Sequence, residues 1–285
     1  MNKFILITCV LFVNLGFAQQ EFNKGLLWKV SGNGLKEPSY IFGTLHVICP
    51  DEFIVFPGVE DALKNSEKII LELDISDPQV MIGMQMGMVM KDNKELSDIL
   101  NEDEYATAAG FFSDSLRMNI SMFSKVQPFF LISMAIPHMI QCNPVSYENY
   151  FIRMADTLQL ELAGLETLQE QLNVFDALTY REQAEMLIET FTEYDSKREE
   201  FMKMLRYYLS ADLQSLEKLF ADLDNNFDEF SYRLIRERNE RWIGRLDSLM
   251  NEKPSFIAVG AGHLPGENGI LKLLLDQGYI IERVN

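Results

Sequence analysis

Two short apolar runs near opposite ends of the chain, YIFGTLH and SFIAVGAGH, each enter a glycine and stop on a histidine three residues later, at His46 and His263. Runs this short and this continuously apolar are the pattern of strands buried on both faces. Such strands need a covered sheet, so the repeated unit asks both ends of the chain to meet in one place. The sequence holds three histidines in all, and two of them share this setting. Imidazole is the side chain best suited to ligating a metal or moving protons near neutral pH. The pair therefore points to one site assembled from both ends.

In all, strands are expected at residues 26–31, 39–45, 68–73, 160–165, 256–260 and 279–284, with helices between them. The span 81–208 is mostly helical in pattern. Asn101 and Glu104 have capping-box spacing, and Pro128 suits the first position of a helix. Pro137 should kink or end that helix. Tyr147, Phe151, Met154 and Leu158 mark an amphipathic helix. The expected fold class is α/β: a three-layer core with a small, mostly parallel sheet and a large helical insertion at about 81–158, followed by helices over about 167–250.

The strand ends carry the chemistry. KIILELD finishes with Glu72 and Asp74, and LELAGLE finishes with Glu166. If the four strands are parallel neighbours, His46, Glu72, Glu166 and His263 converge on the crevice at their carboxyl ends. Two imidazoles and a carboxylate make a divalent-metal site with a position left open. Gly43, Gly260 and Gly262 would let the backbone turn and approach closely. Glu166 could instead cap the following helix, and Asp74 reads as a turn residue. His138, in SMAIPHMI, reads as core or lid lining.

Along FDEFSYRLIRERNERWIGRLDSLM the apolar stripe runs Phe227, Phe230, Leu234, Ile235, Trp242, Leu246 and Leu249. Arg238 and Asn239 fall inside that stripe, where burial is costly without a partner. They fit either an ion pair with Glu72 or Glu166, or a donor pair for a developing oxyanion. Five methionines lie between Met81 and Met90, with Gly83 and Gly87 at small-xxx-small spacing. That stretch suits a simple packed helix or an adaptable apolar wall or lid.

Composition sets the partners. With 43 Asp+Glu against 25 Lys+Arg, nucleic acid and anionic membrane surfaces are poor partners. Residues 1–18 have signal-peptide form: Lys3, an apolar run over 4–17, and Ala18 as the cleavage residue. The expected product is an exported domain over 19–285, periplasmic or extracellular, unless the segment stays as an anchor. In that oxidising setting Cys49 and Cys142 invite a disulfide beside the site.

LLWKVSGNGLKEPSYIFGTLHVI, LELD, SYENYFIRMA with GLETLQEQ, the ERN of the late helix, and VGAGHLPGENGILKLLLDQGYIIERV together resemble the TraB/PrgY/GumN family, whose animal relatives are the TIKI metalloproteases. The resemblance implies an erythromycin-esterase/ChaN-like fold. For the TIKI branch it implies a Mn- or Co-dependent peptidase, with roles falling on His46, His263 and Glu72. A C-terminal membrane anchor of the TIKI kind is not expected.

The expected function is an exported metal-dependent hydrolase acting on a peptide or small-molecule substrate. His46, Glu72 and His263 would hold the metal, with Zn or Fe also compatible with that donor set. Glu166 is the candidate general base, and Arg238 with Asn239 would steady the oxyanion. The alternatives are a non-catalytic peptide-sequestering protein and a metal-free hydrolase with His46 as general base.

Overall fold

In a computed structural model that describes residues 22–224 and 228–284, the apolar runs become six strands: β1 (Leu27–Gly32), β2 (Ser39–Thr44), β3 (Lys68–Leu71), β4 (Glu161–Gly164), β5 (Ser255–Gly260) and β6 (Tyr279–Arg283). The expected leader at 1–18 and Phe227 lie outside the described residues. One sheet forms in the order β4-β3-β5-β2-β1-β6. The strands β4, β3, β5 and β2 run parallel, and β1 alone is reversed, antiparallel to both β2 and β6. The turn after β1 uses Gly32, Asn33 and Gly34, all at positive φ, which two glycines and an asparagine tolerate. All four parallel strands therefore deliver their carboxyl ends to one edge.

Period-2 alternation divides the strand side chains between two faces. Phe42 and Phe256 meet the helix Tyr147–Leu158, with ring centroids 5.6 Å and 4.9 Å from Phe151. Ile41, Ile257 and Val259, of the opposite parity, are also fully buried. The helices Glu237–Glu252 and Ile270–Asp276 bring Trp242, Leu246, Leu271 and Leu274 to the same core. The result is a three-layer α/β core.

A second apolar cluster belongs to the helical insertion. Leu96, Phe112 and Leu131 pack there against Leu187 and Phe191 of the helix Tyr180–Thr192. Asn101 and Glu104 cap the helix Glu102–Asp114 reciprocally, and Pro128 opens the helix Pro128–Ser133. Pro137 lies in the first turn of a separate short helix, Ile136–Ile140, where its missing N–H costs nothing.

Candidate active site

The two glycine–histidine units lie on adjacent parallel strands, β2 and β5, with Gly43 opposite Val259 and Thr44 opposite Gly260. A Cβ at Gly43 would stand 2.8 Å from Leu264 Cδ1 and 3.1 Å from Ala261 Cα, so glycine is what lets the turn after β5 close over β2. Gly260 marks the centre of the site. A Cβ placed there would lie 3.2 Å from Glu72 Oε1, 3.6 Å from His263 Cδ2 and 3.7 Å from His46 Nε2. Groups from the ends of β2, β3 and β5 thus surround one point.

Each imidazole is steered from behind. His263 Nδ1 is 2.7 Å from Asn239 Oδ1, while Asn239 Nδ2 donates to the carbonyls of His263 (3.2 Å) and Asn268 (2.8 Å). With the amide nitrogen occupied by carbonyls, Asn239 can only accept from the ring, so Nδ1 carries the proton and Nε2 presents its lone pair. The ring packs 4.6 Å from Trp242, and burial pushes its pKa down to about 3, so it is neutral at pH 7.

His46 Nδ1 is 2.9 Å from Glu148 Oε1, and Thr44 Oγ1 donates to the same oxygen at 2.7 Å. The His46 ring is 61% exposed through an open recess. Crowding by protein atoms opposes its charge, but the Glu148 carboxylate outweighs that and pushes its pKa up to about 9. Both segments are stapled nearby. Cys49 and Cys142 form a disulfide with Cα atoms 5.8 Å apart, and the backbones of Ile48 and Val145 exchange hydrogen bonds of 3.0 Å and 2.8 Å. Glu148 escaped the sequence reading. As an acid in the first turn of a helix capped by Ser146, it looks like ordinary helix-dipole complementation.

Beneath the histidines, Arg238 joins the two acidic strand ends. Its Nη2 bonds Glu72 Oε2 and lies 2.8 Å from Glu166 Oε1, and its Nε is 3.3 Å from Glu166 Oε2. Glu72 Oε1 accepts from the Gly260 N–H at 2.6 Å. Burial alone would raise the Glu72 carboxyl, but Arg238 foremost outweighs it and holds the group well below the usual carboxylate range. Arg238 Nη1 reaches the Leu234 carbonyl and His263 Nε2, both at 3.2 Å. The Leu234 carbonyl belongs to a single π-helical turn, Tyr232–Arg236, a distortion frequent at functional sites.

The expected roles of three residues, Glu166, Asn239 and His138, do not match this geometry. Glu166 is fully buried, its carboxyl is raised by desolvation, and its oxygens are held by Arg238 and Trp242 Nε1. It therefore has no open path to a water in the crevice. Asn239 has no donor left for an oxyanion. His138 is neither core nor lid lining: it is exposed and bonded to Tyr194 Oη at 2.5 Å. Asp74 is a turn residue, accepting from the Ser76 N–H at 3.0 Å.

The crevice opens into a cavity of about 480 Å³. His46, Glu72, Glu148 and Arg238 line it together with Met84 and Met88. Gly83 and Gly87 press their helix, Pro78–Gly87, onto Leu168 and Leu172, where a Cβ would come within 2.2 Å and 2.5 Å of the leucine side chains. The methionine-rich stretch is thus both a packed helix and a cavity wall.

His46, Glu72 and His263 fit a divalent cation in donor chemistry: two oriented imidazoles and one carboxylate. As they stand, no three His, Cys, Asp or Glu among the described residues are gathered tightly enough to hold one. Arg238 occupies Glu72 Oε2 and approaches His263 Nε2 instead.

The chain is 24% identical to "Metalloprotease TIKI1" of Homo sapiens and 22% identical to "Metalloprotease TIKI2" of Danio rerio, each match covering 93% of this chain and 62% of the relative. It is 22% identical to "Metalloprotease TIKI homolog" of Nematostella vectensis, over 93% of this chain and 68% of that protein. The chain thus spans about three fifths of the length of the first two relatives. No solved structure gives a significant match. The TraB/PrgY/gumN family profile matches residues 26–283, and the chain belongs to that family.

Proposed function

We propose that this protein is an exported, divalent-metal-dependent hydrolase that cleaves peptide or related amide or ester bonds. The observation that carries this reading is the convergence of His46 Nε2, His263 and Glu72 Oε1 around Gly260. The metalloprotease names of its relatives support the same reading. His46, Glu72 and His263 would hold the cation, Mn or Co by family resemblance, with Zn or Fe suited to the same donors. When bound, the ion would supply Lewis acidity and a water-derived nucleophile at neutral pH.

The protein's own groups do the rest. Asn239 and Glu148 fix the two rings so that Nε2 faces the crevice. Glu166 clamps Arg238 through Nε and Nη2 and so orients the guanidinium beside Glu72 and His263. In this proposal Glu166 and Asn239 are positioning residues, in place of the base and oxyanion roles expected from sequence. Export is supported by the apolar leader and by the Cys49–Cys142 bridge.

The test is metal analysis of purified protein with and without His46→Ala plus His263→Ala, alongside hydrolysis of a peptide library. The native protein should take up Mn or Co and cleave peptides, with both lost in the variant while its melt stays cooperative. Equal metal content in the variant, or cleavage that survives exhaustive chelation, would overturn the reading. Peptide capture without cleavage would instead favour a sequestering protein.

A further inference from the structure

The crevice joins a charged floor to an apolar gallery, built by the insertion together with the later helix Leu168–Phe175. Three rings stand together on its wall: Phe129 and Phe130 are 5.0 Å and 4.9 Å from Phe175, centroid to centroid. Met84 and Met88 are further lining residues. All five side chains are only partly buried, and all five line the cavity. Methionine and aromatic side chains grip apolar groups of varied shape. The floor pairs the carboxylates of Glu72 and Glu148 with Arg238 and His46, so its charged groups are already matched to one another. An acidic side chain entering the gallery would lose its hydration to an apolar wall and find no unpaired cation there among the described residues.

The volume, about 480 Å³, is that of a drug-sized ligand, so it admits a short segment of chain and not a folded domain. We infer that the substrate is an unfolded or terminal peptide segment carrying a bulky apolar residue, Phe, Leu or Met, beside its scissile bond, seated against Phe129, Phe130, Phe175, Met84 and Met88. The inference rests on the hydrolase reading for the bond cleaved, but not for the seating of the side chain. The sheet ends carry the reactive groups, and the helices over them select what reaches those groups.

Binding and cleavage are therefore measured separately on the full mature chain. Fluorescent decapeptides that differ at one central position (Phe, Leu, Met, Gly or Asp) are titrated by anisotropy in EDTA, then incubated with Mn and read by mass spectrometry. Phe, Leu and Met peptides should bind about tenfold or more tighter than Gly or Asp peptides, as burial of one large apolar side chain implies. Phe130→Asp and Met88→Asp should each erase most of that preference, whereas Phe130→Leu should keep it. Equal binding of all five peptides would overturn the inference, as would a preference that survives both aspartate variants. An intact preference without cleavage in Mn would remove the hydrolase reading and sustain the seating; cleavage indifferent to the central residue would do the reverse.

Discussion

Asn239 holds His263 twice, accepting from its ring Nδ1 at 2.7 Å and donating to its backbone carbonyl at 3.2 Å. A single amide thereby fixes both the tautomer and the turn that carries the ring. Asn239→Ala should strand the buried ring N–H and two carbonyls, costing about 1–3 kcal/mol of stability. Metal affinity should fall about 10- to 100-fold through misorientation of His263. Urea unfolding and metal titration of the same preparation check both; an unchanged affinity would show that the contact only stabilises the fold.

Gly260 offers a sharper separation of fold from chemistry. Its φ of −51° is open to any residue, so Gly260→Ala carries no backbone strain. The added methyl, however, would sit among Glu72, His263 and His46, 3.2 Å from the Glu72 Oε1 that accepts from the Gly260 N–H, while Arg238 holds the other oxygen. Stability should change by no more than about 1 kcal/mol. Metal uptake should drop severely, and calorimetric titration with Mn reads the difference.

Arg238 neutralises two buried carboxylates, and removing it takes the arginine from Glu72 and leaves Glu166 with only Arg241, 3.6 Å away, as an ion-pair partner among the described residues. Arg238→Met should destabilise the protein by about 3–5 kcal/mol at pH 7. The loss should shrink near pH 5 and below, as Glu72 and Glu166 take up protons. Arg238→Lys keeps a charge but not the fork that serves both acids, and should fall between. Urea midpoints at the two pH values measure this; a pH-independent loss would point to packing alone.

The metal-free protein should be most stable near pH 6.5. His263 is held at about 3 by burial first, against an ordinary value of 6.5. Between those values the unfolded chain binds a proton that the folded one refuses, so stability falls as the pH drops. His46, raised to about 9, works the other way: its contribution is complete below 6.5 and is lost as the pH rises through 9. Unfolding midpoints in EDTA should trace both limbs, the acid one approaching about 1.4 kcal/mol per pH unit. His263→Asn should flatten the acid limb above about pH 4.5, where carboxylates contribute little; a limb of unchanged slope would contradict the neutral assignment.

Much of the architecture was legible because each parallel strand is almost purely apolar and stops at a polar residue. That pattern located His46, Glu72 and His263 without any knowledge of pairing order. It also placed Arg238 and Asn239 on the buried face of their helix. Which partner each would meet was not legible, because contacts such as Asn239 to His263 depend on how a helix rotates over a turn. Glu148 gave no separate signal, since helices commonly begin with an acid. His138 misled for a local reason: its apolar neighbours are buried, but the helix restarting at Ile136 turns the ring outward to Tyr194.

The strand at the middle of the sheet follows every other described strand but β6 in chain order. β5 joins β3 to β2, and those two do not pair with each other. A nascent chain that has not yet produced it holds two separate half-sheets, each with a bare, sticky edge. Such long-range closure is slow and exposes the intermediate to aggregation. Cutting the chain ahead of β5 would therefore split the sheet in two as well as remove His263.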